Sequence, residues 1–459
     1  MSDQLSKALT YASKNREEIL DELIEFVQIP SISTDPEAVQ EIQQAADWVA
    51  NQLKSLGLDK VQVIPTDRHP VVFGESLRAG KDKPTALIYG HYDVQPADPI
   101  ELWESPPFDG TQRGENLYGR GASDMKGQVV ISLKAVEALV NSGKLPINVK
   151  FIIEGEEEIG SPNLSGFIAN HKELLACDFA INPDTGIIAP DIPTITYGLR
   201  GLAYFEIRLF GPDHDLHSGI YGGVVHNPAQ VLCELIAGMH DRKGRVTLPG
   251  YYDSVRSLSE DERAELARLP MDEEFYLKQT GVPELYGEAG YSPVERTGAR
   301  PTLEVNGLLS GFTGEGSKTV LPAYAMAKIS MRLVPDQDPG QVHDQLEHYL
   351  DTSVPDTVKW ELIDHAGASA SLTDRNLPEV LALSKAMEDT WGIRPVYKRE
   401  GGTVPVVAQF HDILGINTVS TGFGLPDDNL HAPNEKIHLP TFYNGLETFI
   451  RYLYILGNL

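Results

Sequence analysis

Apolar residues recur at helical spacing over the first sixty positions of the chain. One run ends near Phe26, and Gly57 closes the next at the position where a glycine often ends a helix. The apolar residues of the second run are Val39, Ile42, Ala46, Val49, Leu53 and Leu56. The pattern predicts two amphipathic helices in this part of the chain.

Short runs rich in β-branched residues follow, and a longer helical pattern interrupts them. The strand-like runs are residues 61–64, 85–89, 149–153, 179–181 and 416–420, and the helical pattern covers residues 125–140. Strands that alternate with helices build an α/β fold. We therefore predict an α/β domain in which a mixed, mostly parallel sheet is flanked by helices.

Residues 202–368 have a different pattern. The segments 203–210 and 325–333 alternate apolar and polar residues as strands do, and helical patterns lie between them. This predicts an α+β domain inserted into the first domain. The predicted division is residues 1–201 and 369–459 for the two parts of the first domain, and residues 202–368 for the insertion.

A strong negative charge narrows the range of partners. The 459 residues include 66 acidic and 38 basic side chains, which gives a formal net charge of -28. Nucleic acids and anionic membranes require clustered Lys and Arg, so we expect neither as a partner. The N-terminal sequence lacks a signal-peptide pattern and no apolar run is long enough to cross a bilayer, which predicts a cytoplasmic protein.

Side chains that can bind metals follow the predicted strands. In an open α/β sheet, the edge at which strands end is where ligands bind. Asp124 instead begins the predicted helix. The groups that follow strands are His91 with Asp93, the three consecutive glutamates Glu156, Glu157 and Glu158, then Asp184, and finally His431.

These residue types together indicate a metal site. Each one taken singly could be an ordinary surface or capping residue, but as a set the carboxylates would repel one another unless cations were bound. Imidazole and carboxylate suit zinc, manganese or cobalt, whereas calcium prefers oxygen ligands alone. Of two adjacent glutamates, one can bind metal while the other acts as a general base, and the spacing leaves their order open.

Several segments make the chain resemble a known enzyme family over nearly its whole length. The segments that carry the resemblance are residues 90–96 (GHYDVQP), 121–127 (GASDMKG), 154–161 (EGEEEIGS) and 431–435 (HAPNE). With these segments the chain is similar to the co-catalytic zinc peptidases, which include carnosine dipeptidase, cytosolic non-specific dipeptidase, carboxypeptidase G and aminoacylase. The segments that favour its dipeptidase branch are residues 197–201 (YGLRG), 215–223 (DLHSGIYGG) and 399–405 (REGGTVP).

The resemblance implies a role for each metal-binding group. It implies two divalent ions per subunit, zinc in the first place, with manganese or cobalt as alternatives. Asp124 would bridge the two ions. The remaining roles are His91 and Asp184 as ligands of one ion, Glu158 and His431 as ligands of the other, Asp93 as the residue that orients His91, and Glu157 as the general base. A cis peptide bond between Asp124 and Met125 is also implied.

The inserted domain resembles the lid of this family, which also forms the interface of a homodimer. His217 matches a lid histidine that enters the partner subunit's site and can donate to the substrate carbonyl and its oxyanion. The positions that match residues holding the substrate's C-terminal carboxylate are Thr319, Arg332, His365, Gly402 and Thr403. Arg332 is the strongest of these candidates, because a guanidinium binds a carboxylate with two parallel hydrogen bonds.

The predicted activity is metal-dependent hydrolysis of the amide bond of a dipeptide or another small peptide. A hydroxide held between the two metals would attack, with Glu157 as general base. An alternative substrate is an N-acyl amino acid, as for aminoacylases; a carboxylate such as Glu400 would favour a free ammonium group instead. A second alternative is a catalytically silent relative that binds peptides.

Overall fold

The computed structural model of the protein describes residues 3–459. Its helices are α1 (Asp3–Lys14), α2 (Arg16–Val27), α3 (Val39–Ser55), α4 (Gly127–Ser142), α5 (Leu164–Asn170), α6 (Lys172–Leu175), α7 (Ser218–Tyr221), α8 (Pro228–Gly238), α9 (Glu260–Leu266), α10 (Glu273–Thr280), α11 (Pro293–Ala299), α12 (Pro339–Ser353), α13 (Pro378–Trp391), α14 (Pro405–Gln409) and α15 (Leu439–Leu456).

Its strands are β1 (Lys60–Ile64), β2 (Val71–Ser76), β3 (Thr85–His91), β4 (Thr111–Arg113), β5 (Asn116–Tyr118), β6 (Asn148–Glu154), β7 (Phe179–Asn182), β8 (Thr194–Leu199), β9 (Gly201–Phe210), β10 (Leu216–His217), β11 (Thr302–Ser310), β12 (Val320–Leu321), β13 (Tyr324–Leu333), β14 (Lys359–Ala368), β15 (Ser371–Leu372), β16 (Val396–Glu400), β17 (Thr418–Ser420) and β18 (Lys436–His438).

The chain forms two compact units. The first contains the described residues up to Tyr197 together with Thr373–Tyr397 and Pro405–Leu459, and the second contains Gly198–Leu372 and Lys398–Val404. These junctions lie a few residues from those predicted at 201/202 and 368/369. The segment 398–404, which the sequence assigns to the first domain, groups with the second unit because Thr403 is hydrogen-bonded within that unit.

A mixed sheet forms the centre of the first unit. Seven of its strands lie in the order β1-β2-β6-β3-β7-β17-β8. The four central strands β6, β3, β7 and β17 are parallel to one another, whereas β1, β2 and β8 pair antiparallel with their neighbours. The predicted fold class is confirmed, with the parallel pairing confined to the centre of the sheet.

Helices shield the central strands from solvent. Every residue of β6 is buried, as are all residues of β3 after the first. Strands buried on both faces lack the alternation of a half-exposed strand, which is why these segments read as continuous apolar runs. The helix α4 is itself almost entirely buried because α1 and α15 pack against it.

The N-terminal segment contains three helices where the apolar spacing predicts two. The break lies at Asn15, whose φ and ψ of -101° and 19° depart from helical values. The Asn15 side chain donates to the carbonyl of Tyr11, and such local bonds compete with helix continuation. Apolar spacing does not reveal this break because the buried stripe continues across it.

The second unit has the α+β construction expected of the insertion. Its main sheet is antiparallel, in the order β11-β13-β9-β14. Burial alternates strictly along β13, so one face of the sheet is covered. The hydrophobic core beneath it includes Ile207, Ile329, Leu232 and Leu346, the last two from α8 and α12.

None of the helices in residues 3–459 combines the length and the hydrophobicity that a membrane span needs.

The segments that follow β7 and β17 approach each other too closely for side chains. A Cβ atom added to Gly422 would lie 1.5 Å from the carbonyl oxygen of Thr185. Gly186 and Gly424 form a backbone bridge just beyond. Because Asp184 and His431 leave the sheet through these two segments, this backbone contact helps to fix the edge at which both residues emerge.

We predict that Gly422→Ala destabilises the protein by about 3 kcal/mol or more, because backbone atoms must move to make room for the methyl group. The midpoint of thermal unfolding measures this loss. Gly166→Ala is the matched control, since a Cβ there meets nothing within 4 Å. Glycine in a helix is itself unfavourable, so the control should be neutral or slightly stabilising. Equal midpoints for the two variants would contradict the prediction.

Candidate metal centre

Three parallel strands end at the edge of the first unit's sheet where side chains that can bind metals are grouped. His91 is the last residue of β3, Glu154 is the last of β6, and Asp184 follows the end of β7. In the register of β3 and β6, His91 lies directly opposite Glu154. Because the strands run in the same direction, the residues after each of them meet at one edge.

Five of the predicted ligands form two groups that share Asp124. One group contains His91 and Asp184, and the other contains Glu158 and His431; within each, the ligand atoms lie within 4.8 Å of one another. The two oxygens of Asp124 face different groups. Oδ1 lies 3.2 Å from His91 Nε2, and Oδ2 lies 3.0 Å from His431 Nε2.

The other distances complete each group. His91 Nε2 lies 4.0 Å from Asp184 Oδ1, and His431 Nε2 lies 3.2 Å from Glu158 Oε2. A carboxylate with one oxygen directed to each group is the arrangement that a bridging ligand requires. The structure thus brings together all five residues for which the sequence predicts metal binding.

Buried Glu435 holds the turn that carries Asp124. Its Oε2 accepts from Arg120 Nη1 at 2.7 Å and from the amide of Gly121 at 3.0 Å. Its Oε1 accepts from the amides of Ser123 and Asp124, both at 3.1 Å. Four charge-assisted hydrogen bonds therefore fix the backbone from which Asp124 projects. The Asp124–Met125 peptide bond is cis, as the resemblance implies.

The loop that carries His431 is fastened to the same turn. Asp428 is fully buried, and its Oδ2 accepts from the Ser123 hydroxyl at 2.8 Å. Lys436 donates to the other oxygen of Asp428 at 3.0 Å. His431 itself has a φ of 58°, in the left-handed region that residues other than glycine seldom occupy. These bonds hold the loop in a conformation that His431 would not favour alone.

His91 presents a defined ring nitrogen to the centre. Its Nδ1 donates to the backbone carbonyl of Asp93 at 3.0 Å, so Nε2 is left as the acceptor that can bind a metal. The Asp93 carboxylate is farther from Nδ1, at 3.5 Å. That carboxylate also accepts from the amides of Glu157 and Glu158, at 3.3 and 3.1 Å. Asp93 therefore connects the His91 strand to the glutamate segment.

The three consecutive glutamates have different surroundings. Glu156 is buried and turns away, accepting from the amide of His69 at 2.7 Å and from the side chains of Thr66 and Asn163. Glu158 belongs to the metal-binding group with His431. Glu156 therefore adds little to the repulsion that the sequence suggests for all three side chains, because its charge is already hydrogen-bonded elsewhere.

The centre concentrates negative charge that attracts cations. Burial and the neighbouring Asp124 raise the pKa of Asp184 to about 7. Burial also raises the pKa of Glu157 well above its usual range, and the charges of Asp184, Asp124 and Glu158 add to this effect. Protons and metal ions compete for such groups, so a bound cation restores the carboxylates to their charged form.

The pKa values of the two imidazoles are raised as well, which for an imidazole favours the charged form. Hydrogen bonds to Asp124 and Glu158 raise the pKa of His431 to about 10. Burial opposes protonation of His91, yet its hydrogen bonds to Asp124 and Asp93 raise its pKa well above the ordinary value. Both shifts show that positive charge is favoured where the ring nitrogens point, and this mixed imidazole and carboxylate set fits zinc, manganese or cobalt.

In the second unit, His217 and Thr319 lie beside each other. The short strands β10 and β12 pair His217 with Val320, and the amide of Ser218 donates to the carbonyl of Thr319 at 3.0 Å. His217 Nδ1 accepts from the amide of Gly219 at 3.0 Å. An amide can only donate, so Nε2 of the neutral ring carries the proton and remains available as a donor.

Arg332 and Thr403 are also brought together in the second unit. Arg332 Nη1 donates to the Thr403 hydroxyl at 2.9 Å, and that hydroxyl donates to the carbonyl of Arg200 at 2.6 Å. Because its only proton is used in this way, the Thr403 hydroxyl orients Arg332 and is not free to donate to a carboxylate. Gly402 precedes Thr403 in the same short loop.

His365 and Glu400 have other partners within the second unit. His365 Nε2 lies 3.1 Å from Glu206 Oε2. Glu400 forms an ion pair with Lys398 at 2.5 Å and accepts from the amide of Gly401. The carboxylate suggested for recognition of a free ammonium group is therefore already paired, and the role of His365 at a substrate carboxylate stays a prediction.

Two residues that hold the centre in place are not among those predicted from the sequence. Glu435 and Asp428 contact the Asp124 turn without belonging to a metal-binding group. Glu435 is the last residue of the HAPNE segment. A carboxylate so close in sequence to the predicted ligand His431 was the signal that could have identified it. Its partners lie some three hundred residues earlier, a distance that local pattern does not bridge.

Comparison with known proteins finds relatives along nearly the whole chain. Residues 87–454 match peptidase family M20/M25/M40. The chain is 32% identical to the Cys-Gly metallodipeptidase DUG1 of Candida albicans, over 95% of this chain and 94% of that protein. It is 31% identical to the Beta-Ala-His dipeptidase of Homo sapiens, over 97% and 91% respectively.

A solved structure is similar as well. The M20 family metallo-carboxypeptidase Sso-CP2 from Sulfolobus solfataricus has a TM-score of 0.84 and 36% identity to this chain, and the match covers 96% of this chain and 100% of that one.

We predict that Glu158→Gln lowers metal affinity by at least about tenfold, since loss of a carboxylate that only supports a metal ligand already costs 10–100-fold. Metal content after dialysis against buffered free zinc measures the effect. Glu156→Gln is the matched control. It should keep its metal and lose thermal stability instead, because it breaks the contacts with His69 and Asn163. Metal loss in the Glu156 variant alone would show that the order of roles is wrong.

Proposed function

Because the chain belongs to peptidase family M20/M25/M40, we propose that it is a metallodipeptidase that hydrolyses the amide bond of dipeptides and similarly small peptides. Membership of the family makes the protein a hydrolase with a metal site. The two relatives described above, which are 32% and 31% identical to this chain, are a Cys-Gly dipeptidase and a Beta-Ala-His dipeptidase, and so belong to the dipeptidase branch. The substrate assignment is drawn from them.

The observation that carries the proposal is the pair of ligand groups that share Asp124. Two ions are proposed here, zinc first, with manganese and cobalt as alternatives that use the same ligands. His91 and Asp184 would hold one ion, Glu158 and His431 the other, and Asp124 both. When bound, such ions polarise a substrate carbonyl and lower the pKa of water toward neutrality.

The residues of the chain then have distinct tasks in the proposed reaction. Glu157 accepts the proton of the attacking water on its carboxylate and delivers it to the departing amine when the C–N bond breaks. His217 donates Nε2–H to the oxyanion that develops on the carbonyl oxygen.

The second unit would supply recognition of the substrate. Arg332 is proposed to bind the C-terminal carboxylate, because a guanidinium can donate two parallel hydrogen bonds to it. Thr403 supports this role by orienting the Arg332 guanidinium. Thr319, His365 and Gly402 are proposed as further contacts of the same carboxylate.

A metallo-carboxypeptidase is a second candidate, favoured by the name of the solved structure that is 36% identical to this chain. Both activities need a free C-terminal carboxylate, and they differ on the amine side of the scissile bond. Glu400, the carboxylate suggested for recognition of a substrate ammonium, forms an ion pair with Lys398. Blocked and longer substrates therefore separate a dipeptidase from a carboxypeptidase or an N-acyl amino acid hydrolase.

We further propose a cytoplasmic homodimer that associates through the second unit. The edge strand β11 exposes Val305, Leu308 and Leu309, and Leu308 is 58% exposed. Near His217, Ile220 and Val224 are also exposed. Exposed apolar side chains grouped in this way are typical of a protein interface.

The substrate class is tested with metal-stripped protein to which zinc or manganese is returned. Dipeptides with free ends, N-acetylated dipeptides, tripeptides and N-acyl amino acids are compared by kcat/KM. We expect metal-restored cleavage of free dipeptides above all others. Equal or faster cleavage of blocked and longer peptides would assign a carboxypeptidase, and preference for N-acyl amino acids would assign an acylase. No cleavage despite bound metal would indicate a silent relative.

Glu157→Gln tests the general base. We expect kcat to fall by about 10²–10⁴-fold, the range for loss of a positioned proton acceptor. Metal content and the thermal midpoint should stay close to those of the wild type, since Glu157 is not in either metal-binding group. Unchanged turnover would refute this role, and loss of metal would make Glu157 a ligand.

Leu308→Asp tests the proposed interface. A charge on the exposed edge of β11 should convert a dimer into a monomer, seen as a halved mass by light scattering after gel filtration. Leu381→Asp is the control, because Leu381 is similarly exposed, at 51%, on α13 of the first unit. A mass that is the same for both variants and the wild type would exclude β11 as the interface.

A further inference from the structure

A second arginine lies beside the Arg332–Thr403 pair. Arg200 joins β8 to β9, and its backbone carbonyl accepts from the Thr403 hydroxyl at 2.6 Å. Its guanidinium donates from Nε to the carbonyl of Gly401 at 3.2 Å and from Nη1 to the carbonyl of Arg300 at 3.4 Å. Arg200 thus holds the loop 401–403 from both its backbone and its side chain.

Neither arginine has a carboxylate partner. Across residues 3–459 no Asp or Glu oxygen lies within 4 Å of the guanidinium of Arg200 or of Arg332. Their side chains donate to backbone carbonyls and to the Thr403 hydroxyl. Other arginines of this unit do have acidic partners, as Arg300 does with Glu288. A guanidinium has five N–H donors, so Arg200 and Arg332 both keep donors that the protein leaves unused.

The two like charges disfavour each other. Burial, together with the nearby charge of Arg332, lowers the pKa of Arg200 to about 10. Placing two guanidinium groups together away from bulk water is unfavourable unless an anion joins them. If the position of Arg200 required only a donor of hydrogen bonds to carbonyls, a neutral side chain could fill it.

We propose that Arg200 is a specificity-determining residue that, with Arg332, supplies the positive charge that selects substrates with a free C-terminal carboxylate. This inference rests on the proposed function, in which Arg332 binds that carboxylate. Arg200 contributes in two ways. It adds a second positive charge near the bound carboxylate, and it fixes the loop whose Thr403 orients Arg332.

The test compares glycyl-leucine with glycyl-leucinamide, which differ in the C-terminal charge. Binding to metal-stripped protein is measured by calorimetry, and kcat/KM is measured after zinc is returned. The variants are Arg200→Gln, which removes the charge, and Arg200→Lys, which keeps the charge but not the planar donors. Arg256→Gln is the control, since Arg256 is an exposed arginine of the same unit that pairs with Asp336.

We expect the wild type and the Arg256 variant to prefer the acid to the amide by at least about tenfold, in line with the strength of charge-assisted pairs. Arg200→Gln should lose most of this preference by weakening binding of the acid while leaving binding of the amide unchanged. Arg200→Lys should fall between the two. An equal loss for acid and amide, or no loss at all, would overturn the inference, because a purely structural role cannot distinguish the two ligands.

Three further outcomes are also decisive. If Arg200→Gln does not fold, Arg200→Lys alone decides, and acid binding equal to that of the wild type overturns the inference. If the wild type cleaves neither peptide but binds the acid through Arg200, the proposed function fails and the inference stands. A wild type that binds acid and amide equally overturns the inference whatever its turnover.

Discussion

The position of one carboxylate, that of Asp124, constrains much of the first unit. Its two oxygens face the imidazoles of His91 and His431, which precede and follow the second unit along the chain. Such a carboxylate serves two groups only while its backbone is fixed, and the four hydrogen bonds to Glu435 fix it. The parallel strands, the glycine contacts at their ends and the loop that carries His431 all help to position the side chains around Asp124.

The electrostatics of the centre follow from burial. In water these carboxylates would ionise independently, whereas at the edge of the sheet burial and the neighbouring negative charges raise the pKa of Asp184 and of Glu157. The fold uses backbone amides for part of the compensation, with Asp93 accepting from two and Glu435 from three. The remaining negative charge is what a pair of divalent cations can neutralise.

The sequence was sufficient for the fold class, because strands and helices are local patterns, and strand ends marked most of the side chains that can bind metals. The choice of the five ligands, with Glu158 in place of Glu157, came from the resemblance to the co-catalytic zinc peptidases. It was insufficient where distant contacts decide. Apolar spacing could not show that Glu156 is bonded to His69, nor that Asn15 interrupts a helix. Strand β2 was missed because its apolar run is only Val71–Phe73 and is followed by Gly74, Glu75 and Ser76.

The Glu435 contacts also impose an order on biosynthesis. Four of the grouped side chains, from His91 to Asp184, are synthesised before the inserted unit, whereas His431 and Glu435 follow it. Until they arrive, the Asp124 turn lacks the acceptor for its amides and one of its two imidazoles. The two groups that share Asp124 therefore cannot be complete until the segment with His431 and Glu435, which runs directly into the strand β18, has been synthesised.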